Sequence, residues 1–309
     1  MTRPLGTRLL VMPQHQGLRL DQFVAAATSL SRRAARGLIG DGAVARNGQP
    51  TRVLGRQVDW GDVVDVARSP EELGVPPRPE LPRLEILHED RWLVAVAKPA
   101  GMLSQPAAEP SPDLALDQLA VLILALRDGA RAYLQLVHRL DRVTSGVTLF
   151  ASSPQAHAPL ARAWRGGEVE RRYLAVVEGV PADEVTRVDR AIGRDPDHDW
   201  RFRVDPAGRA ARTEVRRVAL LDGGLAVVEC RLETGRTHQV RVHLAELGHP
   251  VLGDRLYGSR RADEAPRPLL HAASLVLPHP RDGARLELVA PVPQDMVGYV
   301  RTIEKSETS

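Results

Sequence analysis

A single carboxylate, Asp141, stands between Arg139 and Arg142, and three small residues, Thr144-Ser145-Gly146, follow it. Guanidinium groups within a few ångströms favour the charged form of a carboxyl, so Asp141 is set to work as an anion near neutrality. A glycine at 146 would let backbone close on a ligand, since it tolerates positive φ and carries no Cβ. The same residues also fit a salt-bridged turn between two strands. The apolar runs Tyr133–Val137 and Val147–Ala151 on either side predict those strands, with the polar knot between them.

A second polar run begins Glu233-Thr234-Gly235-Arg236-Thr237-His238-Gln239-Val240-Arg241-Val242-His243-Leu244 and continues through His249 to Gly258. Its three histidines invite a metal reading. In a helix over 236–247, His238 and His243 would stand five apart, about 140° around the axis. A zincin pair needs i and i+4 on one face, and no acidic residue falls at a useful spacing. Cys230 is the chain's one cysteine and lies in an apolar run, which excludes a disulfide framework and a thiolate site. Neither a metal nor another cofactor is expected. Arg236 and Arg241 are likewise five apart and point differently, so at most one of them meets the Asp141 carboxylate.

The run from His138 to Gly146 resembles the HRLDxxTSG signature of the RluA-type pseudouridine synthases, matched at His138, Arg139, Leu140, Asp141, Thr144, Ser145 and Gly146. The second run resembles the Thr-Gly-Arg-x-His-Gln-x-Arg-x-His motif of the same family. A Tyr-x-Ala-x-Val-x-Gly element matches from Tyr173 to Gly179, and a Lys-Pro-Ala-Gly element stands at Lys98–Gly101. Ala97 and Gln105 stand where the family often has Asn and His. The resemblance implies that Asp141 is catalytic, that Arg241 pairs with it, and that Tyr173 stacks on the target base and assists proton removal. By its residues alone, a strand tyrosine such as Tyr173 packs in the core with its hydroxyl at the surface. Arg139 would fill the space left by a flipped uridine, hold a phosphate, or brace Asp141. Arg236 fits a helix start or an RNA contact, and Lys98 a phosphate contact or a solvated turn.

The elements that must position these groups are legible around them. Leu18–Val24 and Ser31–Ile39 predict two short helices, the second N-capped by Ser31 and bearing Arg32 and Arg36 four apart on one face. Ala43–Pro50 reads as a hairpin turning at Asn47-Gly48 with Arg46 beside the turn, and Val58–Val66 closes the unit. This order resembles an S4 RNA-binding domain, whose Arg32, Arg36 and Arg46 would track phosphates. A solvated Arg-rich face on a structural domain fits the same residues.

Residues 1–16 show no periodic pattern and read as a lead-in to an S4-like unit over 17–67. Five prolines within 68–83 (Pro70, Pro76, Pro77, Pro79 and Pro82) predict an extended linker that packs as neither helix nor sheet. The catalytic domain is expected over 84–304, and 305–309 as a polar tail. Within it, hairpins are expected at Leu84–Ala97 and at Ala211–Glu233 about Asp222-Gly223-Gly224. Helices are expected in Pro110–Gly129 and Gln155–Trp164, whereas 183–206 reads as loop-rich and charged. The fold class is α+β, a large mixed or antiparallel sheet flanked by helices, preceded by the small S4-like domain.

Composition is permissive. A formal charge of +3, carried almost wholly by arginine with lysine at 98 and 305, makes RNA a plausible partner, and a GC-rich genome would give the same bias. The longest apolar run, Leu119–Leu126, is far below a membrane span, which points to a soluble cytosolic chain, and a monomer is expected. The expected activity is uridine-to-pseudouridine isomerisation in structured RNA, ribosomal large-subunit RNA first and tRNA second. A non-catalytic RNA-binding or ribosome-assembly protein has no need of Asp141, Tyr173 and Arg241 together. A hydrolase using an Asp nucleophile would want a second acid/base carboxylate at a recognisable spacing.

Overall fold

The computed structural model describes residues 6–76, 80–108 and 113–306, with side chains described to Val300. The expected linker positions Pro77 and Pro79, the first five lead-in residues, Pro110 and the last three tail residues lie outside them. Two compact units emerge. One takes the chain up to Leu84 together with the helix Leu116–Asp128 and its flank to Leu134; the other takes the chain from Glu85 and again from Gln135 onward.

In the first unit, the helices Leu20–Ala26 and Arg32–Gly40 bury Leu20, Phe23, Val24, Ala35 and Ile39 against a four-stranded sheet. Ser31 accepts the Ala34 amide and so satisfies one of the helix's four unpaired N–H groups. Asn47 and Gly48 both hold positive φ, as a two-residue hairpin loop demands. Asn47 Oδ1 then accepts the amides of Val63 and Arg131, which ties the hairpin to the flank of the helix Leu116–Asp128.

Two expectations are corrected here. Part of the lead-in, Thr7–Leu10, is a strand paired with Val63–Val66, a partner too distant in sequence to show as periodicity. Within the proline-dense stretch, Pro70–Leu73 forms one helical turn capped by Ser69, and Leu73 is fully buried in this unit's core. Proline is tolerated at a helix's first position, where its missing N–H would have had no partner.

The second unit is built, among the described residues, on a ten-stranded mixed sheet. From one edge the strands run Val185–Asp189, Arg212–Leu221, Leu225–Leu232, Glu170–Glu178, Leu270–Pro278, Ser145–Ala151, Leu93–Lys98 and Glu85–Glu89. Two further strands, Arg285–Val289 and Gln135–Leu136, pair with Leu270–Pro278 and Ser145–Ala151. The pairing of Leu270–Pro278 with Ser145–Ala151 is parallel, and the others are antiparallel. Ser145–Ala151 is buried at every position, as befits a central strand covered on both faces. The helix Pro154–Gly166 packs on it and ends at Gly167 in the left-handed conformation. The loop-rich reading of 183–206 is also corrected. Val185–Asp189 is an edge strand, and Ile192–Asp195 pairs with His198–Val204.

Gly146 proves to be a packing glycine rather than a ligand-facing one. It has φ +125, and a Cβ there would lie 2.2 Å from the carbonyl oxygen of Ala272 on the parallel neighbour. Backbone cannot yield as a flexible side chain would. Gly146→Ala is therefore expected to lower stability by at least about 1–3 kcal/mol, read as a shift in the denaturation midpoint. A midpoint within about 0.5 kcal/mol of wild type would refute the close strand approach.

Candidate active site

Asp141 rides on the loop that leads from Leu136 into the strand Ser145–Ala151. The segment Lys98–Ser104 clamps that loop. Ser104 Oγ donates to the Leu140 carbonyl and accepts its amide, while Gly101 N–H donates to Arg142 O. Lys98 is neither a phosphate contact nor a solvated turn residue. It is fully buried, and its Nζ donates to the carbonyls of Pro99, Met102 and Arg142 at 2.9, 2.7 and 3.3 Å. Burial draws its pKa down to about 7, against the pull of the Asp141 charge. Tying both loops with one buried ammonium fixes where Asp141 stands.

Asp141 lines a cleft of about 300 Å³, within the size range of small-ligand sites. The strand Glu170–Glu178 presents Arg171 and Tyr173 to this cleft, and the segment Gly235–Arg241 forms another wall. The residues singled out at positions 139, 141, 173, 236 and 241 thus converge, though they lie on three separate stretches of chain.

Arg241 is almost completely buried, with Nη1 3.8 Å from Asp141 Oδ2. Its short contacts go elsewhere. Nε and Nη2 donate to the two oxygens of Asp254 at 2.7 and 2.8 Å, a bidentate fork. The Tyr257 ring faces the guanidinium at 4.9 Å. Burial opposes the Arg241 charge, but the Asp254 contacts outweigh it and hold the pKa above the ordinary arginine value. Arg241 is thereby locked in place before it meets Asp141.

Tyr173 is pushed up to about 12 by burial, with Arg171 lowering and Asp141 raising it, so its phenol is neutral at pH 7. Arg171 is itself buried beside the cleft and sits over the Trp164 ring at 5.4 Å. Trp164 in turn stacks on His138 at 4.1 Å, and His138 Nε2 accepts the Leu149 amide. Burial holds the His138 pKa near about 3, so this ring is neutral and structural.

Arg139 is exposed and lines the cleft. Arg236 lies before the helix Gln239–Glu246 and donates through Nε to the Ala210 carbonyl, while its amide donates to Gln239 Oε1. The buried Gln239 side chain also donates to Arg212 O and Thr213 Oγ1, which pins the helix start to the sheet. His243 and His249 each have polar partners of their own, Thr213 Oγ1 with Arg190 O for the first and Glu178 O for the second. Among the described residues no group of three His, Cys, Asp or Glu could hold a metal ion.

In the first unit, Arg32 and Arg36 share the buried carboxylate of Asp21, at 3.4 and 3.2 Å, with Arg19 at 3.1 Å. Three guanidinium groups around one carboxylate leave the face positive, and both helix arginines stay about half exposed. Burial raises the Asp21 pKa, but the bonds from Arg19 and Arg32 outweigh it and the net shift is downward. Arg46 differs. Its side chain is 12% exposed and braces the hairpin through Gln57 O, Asp59 and Asp62.

Sequence reasoning missed Asp254, Tyr257, Arg171 and the tie made by Lys98. A buried arginine requires a fixed counter-charge, and Asp254 stood within the second polar run. Nothing in its spacing marked it as that partner.

A carboxylate, a tyrosine and four arginines line one small cleft, a setting suited to a polyanionic substrate such as RNA. Residues 92–246 match the family model for RNA pseudouridylate synthase, and residues 18–64 match the S4 domain. An uncharacterized RNA pseudouridine synthase of Mycobacterium bovis is 36% identical over 91% of this chain and 92% of its own. The ribosomal large subunit pseudouridine synthase D of Zymomonas mobilis is 36% identical over the same shares, 91% and 92%. The solved structure of human RNA pseudouridylate synthase domain containing 4 aligns with a TM-score of 0.58 and 26% identity, covering 71% of this chain and 93% of that one. The chain belongs to the RNA pseudouridylate synthases of the RluA type and carries an S4 domain. No described helix is long and apolar enough to cross a membrane.

Proposed function

We propose that this pseudouridine synthase acts on uridines of large-subunit ribosomal RNA. The observation that carries the choice of RNA is the likeness, over nine-tenths of the chain, to relatives named ribosomal large subunit pseudouridine synthase D. The positive face around Arg32 and Arg36 suits phosphate contact, whereas Arg46 is committed to its own hairpin.

In the reaction the N1–C1′ bond of uridine breaks, the uracil turns and C5 joins C1′; C5 gives up its proton and N1 takes one up, so the product is an isomer. Asp141 acts as an anion on the nucleoside, either by attack or by taking a ribose proton. Arg241, fixed by Asp254, holds that anion in place. Tyr173 offers its ring as the stacking surface. Burial keeps its phenol protonated, and a protonated phenol is a poor acceptor of the C5 proton, so we assign the ring the stacking role. Arg139 occupies the space the flipped uridine leaves or binds its phosphate. The protein works as a monomer in the cytoplasm.

Pseudouridine mapping of total RNA from cells with and without the gene tests the substrate. Large-subunit positions should lose their signal on deletion. Loss confined to tRNA would overturn the ribosomal assignment and leave the enzyme class standing.

A further inference from the structure

His238 is one of two described non-glycine residues at positive φ, the other being Asn47 in its hairpin turn. A side chain in that region is strained, and such strain persists where the surroundings demand it. The surroundings here grip the imidazole. Nδ1 lies 2.8 Å from Tyr257 Oη, and the rings of Phe202 and Tyr257 meet it edge-on at 5.6 and 5.7 Å. Tyr257 Oη also accepts the Phe202 amide at 3.1 Å, which leaves the hydroxyl one proton to donate. His238 Nδ1 is the acceptor that stands in reach, so the imidazole carries its own proton on Nε2. Nε2 faces Asp141 Oδ2 at 3.8 Å, the same oxygen that Arg241 Nη1 faces at 3.8 Å.

We infer that His238 is a positioning residue for Asp141: with its tautomer set by Tyr257, it closes Nε2–H onto Oδ2 as the nucleoside enters, leaving Oδ1 to act on the sugar. This rests on the catalytic reading of Asp141. Hydrogen bonds in an empty site are often long and tighten in the complex, which is the movement required here. Asp141, Arg241, Asp254, Arg139 and Tyr257 face the ring. Burial lowers the His238 pKa, Asp141 and Asp254 oppose that shift, and Arg241 and Arg139 reinforce it. The ring is therefore neutral at pH 7. Once acid adds a second proton at Nδ1, the Tyr257 hydroxyl must reverse and the ring's grip loosens.

The test is single-turnover pseudouridine formation at saturating ribosomal RNA, from pH 5 to 8, for wild type, His238→Ala and His238→Gln, with RNA affinity and melting measured alongside. Displacing a reacting group by about 1 Å costs on the order of 100-fold, so His238→Ala should be about 10- to 100-fold slower with RNA affinity within about twofold of wild type. His238→Gln keeps an N–H donor at the reach of Nε2 and cannot titrate. It should recover most of the rate and lack the acid-side fall that wild type shows as its imidazole takes up a second proton. His238→Ala within about twofold of wild type, or His238→Gln as slow as His238→Ala with the wild-type pH profile, would overturn the proposal. Should His238→Ala fail to fold, the pH profile of His238→Gln decides alone. Undiminished turnover by Asp141→Asn would instead refute the reading of Asp141 itself.

Discussion

Asp141→Asn is expected to reduce turnover by at least about 10⁴-fold, the scale seen when a catalytic carboxylate becomes an amide in place. Stability and RNA affinity should barely change. The reason lies in the partner's wiring: Arg241 is already neutralised by its bidentate contact to Asp254, so loss of the Asp141 charge strands no buried cation. Asn also fills the same volume on a loop held by Lys98 and Ser104 through backbone atoms, which the substitution leaves untouched. Single-turnover kinetics with a parallel thermal melt checks both halves. Turnover within about tenfold of wild type would remove Asp141 from the chemistry.

Asp254→Asn should act in the opposite way, costing both stability and rate. Removing one charge of a buried pair leaves the other uncompensated and costs about 3–5 kcal/mol. The amide would still accept the amides of Leu256 and Tyr257, so the short turn after Asp254 keeps its cap and the loss is electrostatic. Freed of its fork, Arg241 would move toward Asp141, and rate should fall about 100-fold with the displaced carboxylate. Combining Arg241→Met with Asp254→Asn separates the two effects. With the cation gone and the amide still capping Leu256 and Tyr257, most of the stability should return, because the desolvated pair itself contributes little net. The rate should stay low, since nothing then holds the Asp141 anion. Recovery of both would make Arg241 structural only.

Much of this wiring is invisible in the amino-acid string. The elements with local chemistry were legible: Ser31 at its helix, Asn47-Gly48 in its hairpin, Gly223-Gly224 between Leu221 and Leu225. Elements defined by distant partners were not. Thr7–Leu10 has its partner at Val63–Val66, and the strands between Val185 and Val204 carry charged residues throughout and an exposed apolar one, Trp200 at 62%, which together hide any period of two. The helix Gln294–Ser306 went unread for want of a clear cap. At the site, residues with a motif around them were found, while those that serve another side chain were not. Asp254 answers the buried charge of Arg241, Tyr257 orients His238, and Lys98 satisfies three carbonyls. Such needs arise from burial, which a one-dimensional string does not display. Gly146 shows the converse, a residue found for the wrong reason: its missing Cβ makes room for Ala272 rather than for substrate.

The central claim is that a uridine leaves its stack and lies against Tyr173 with its sugar beside Asp141. A structure of the Asp141→Asn protein bound to a large-subunit RNA fragment bearing the mapped uridine tests this most directly. The account predicts the uracil on the Tyr173 ring and C1′ within about 3.5 Å of the residue 141 side chain, a near-attack distance. A target uridine still stacked in its helix, or bound away from the cleft that Asp141 lines, would contradict it.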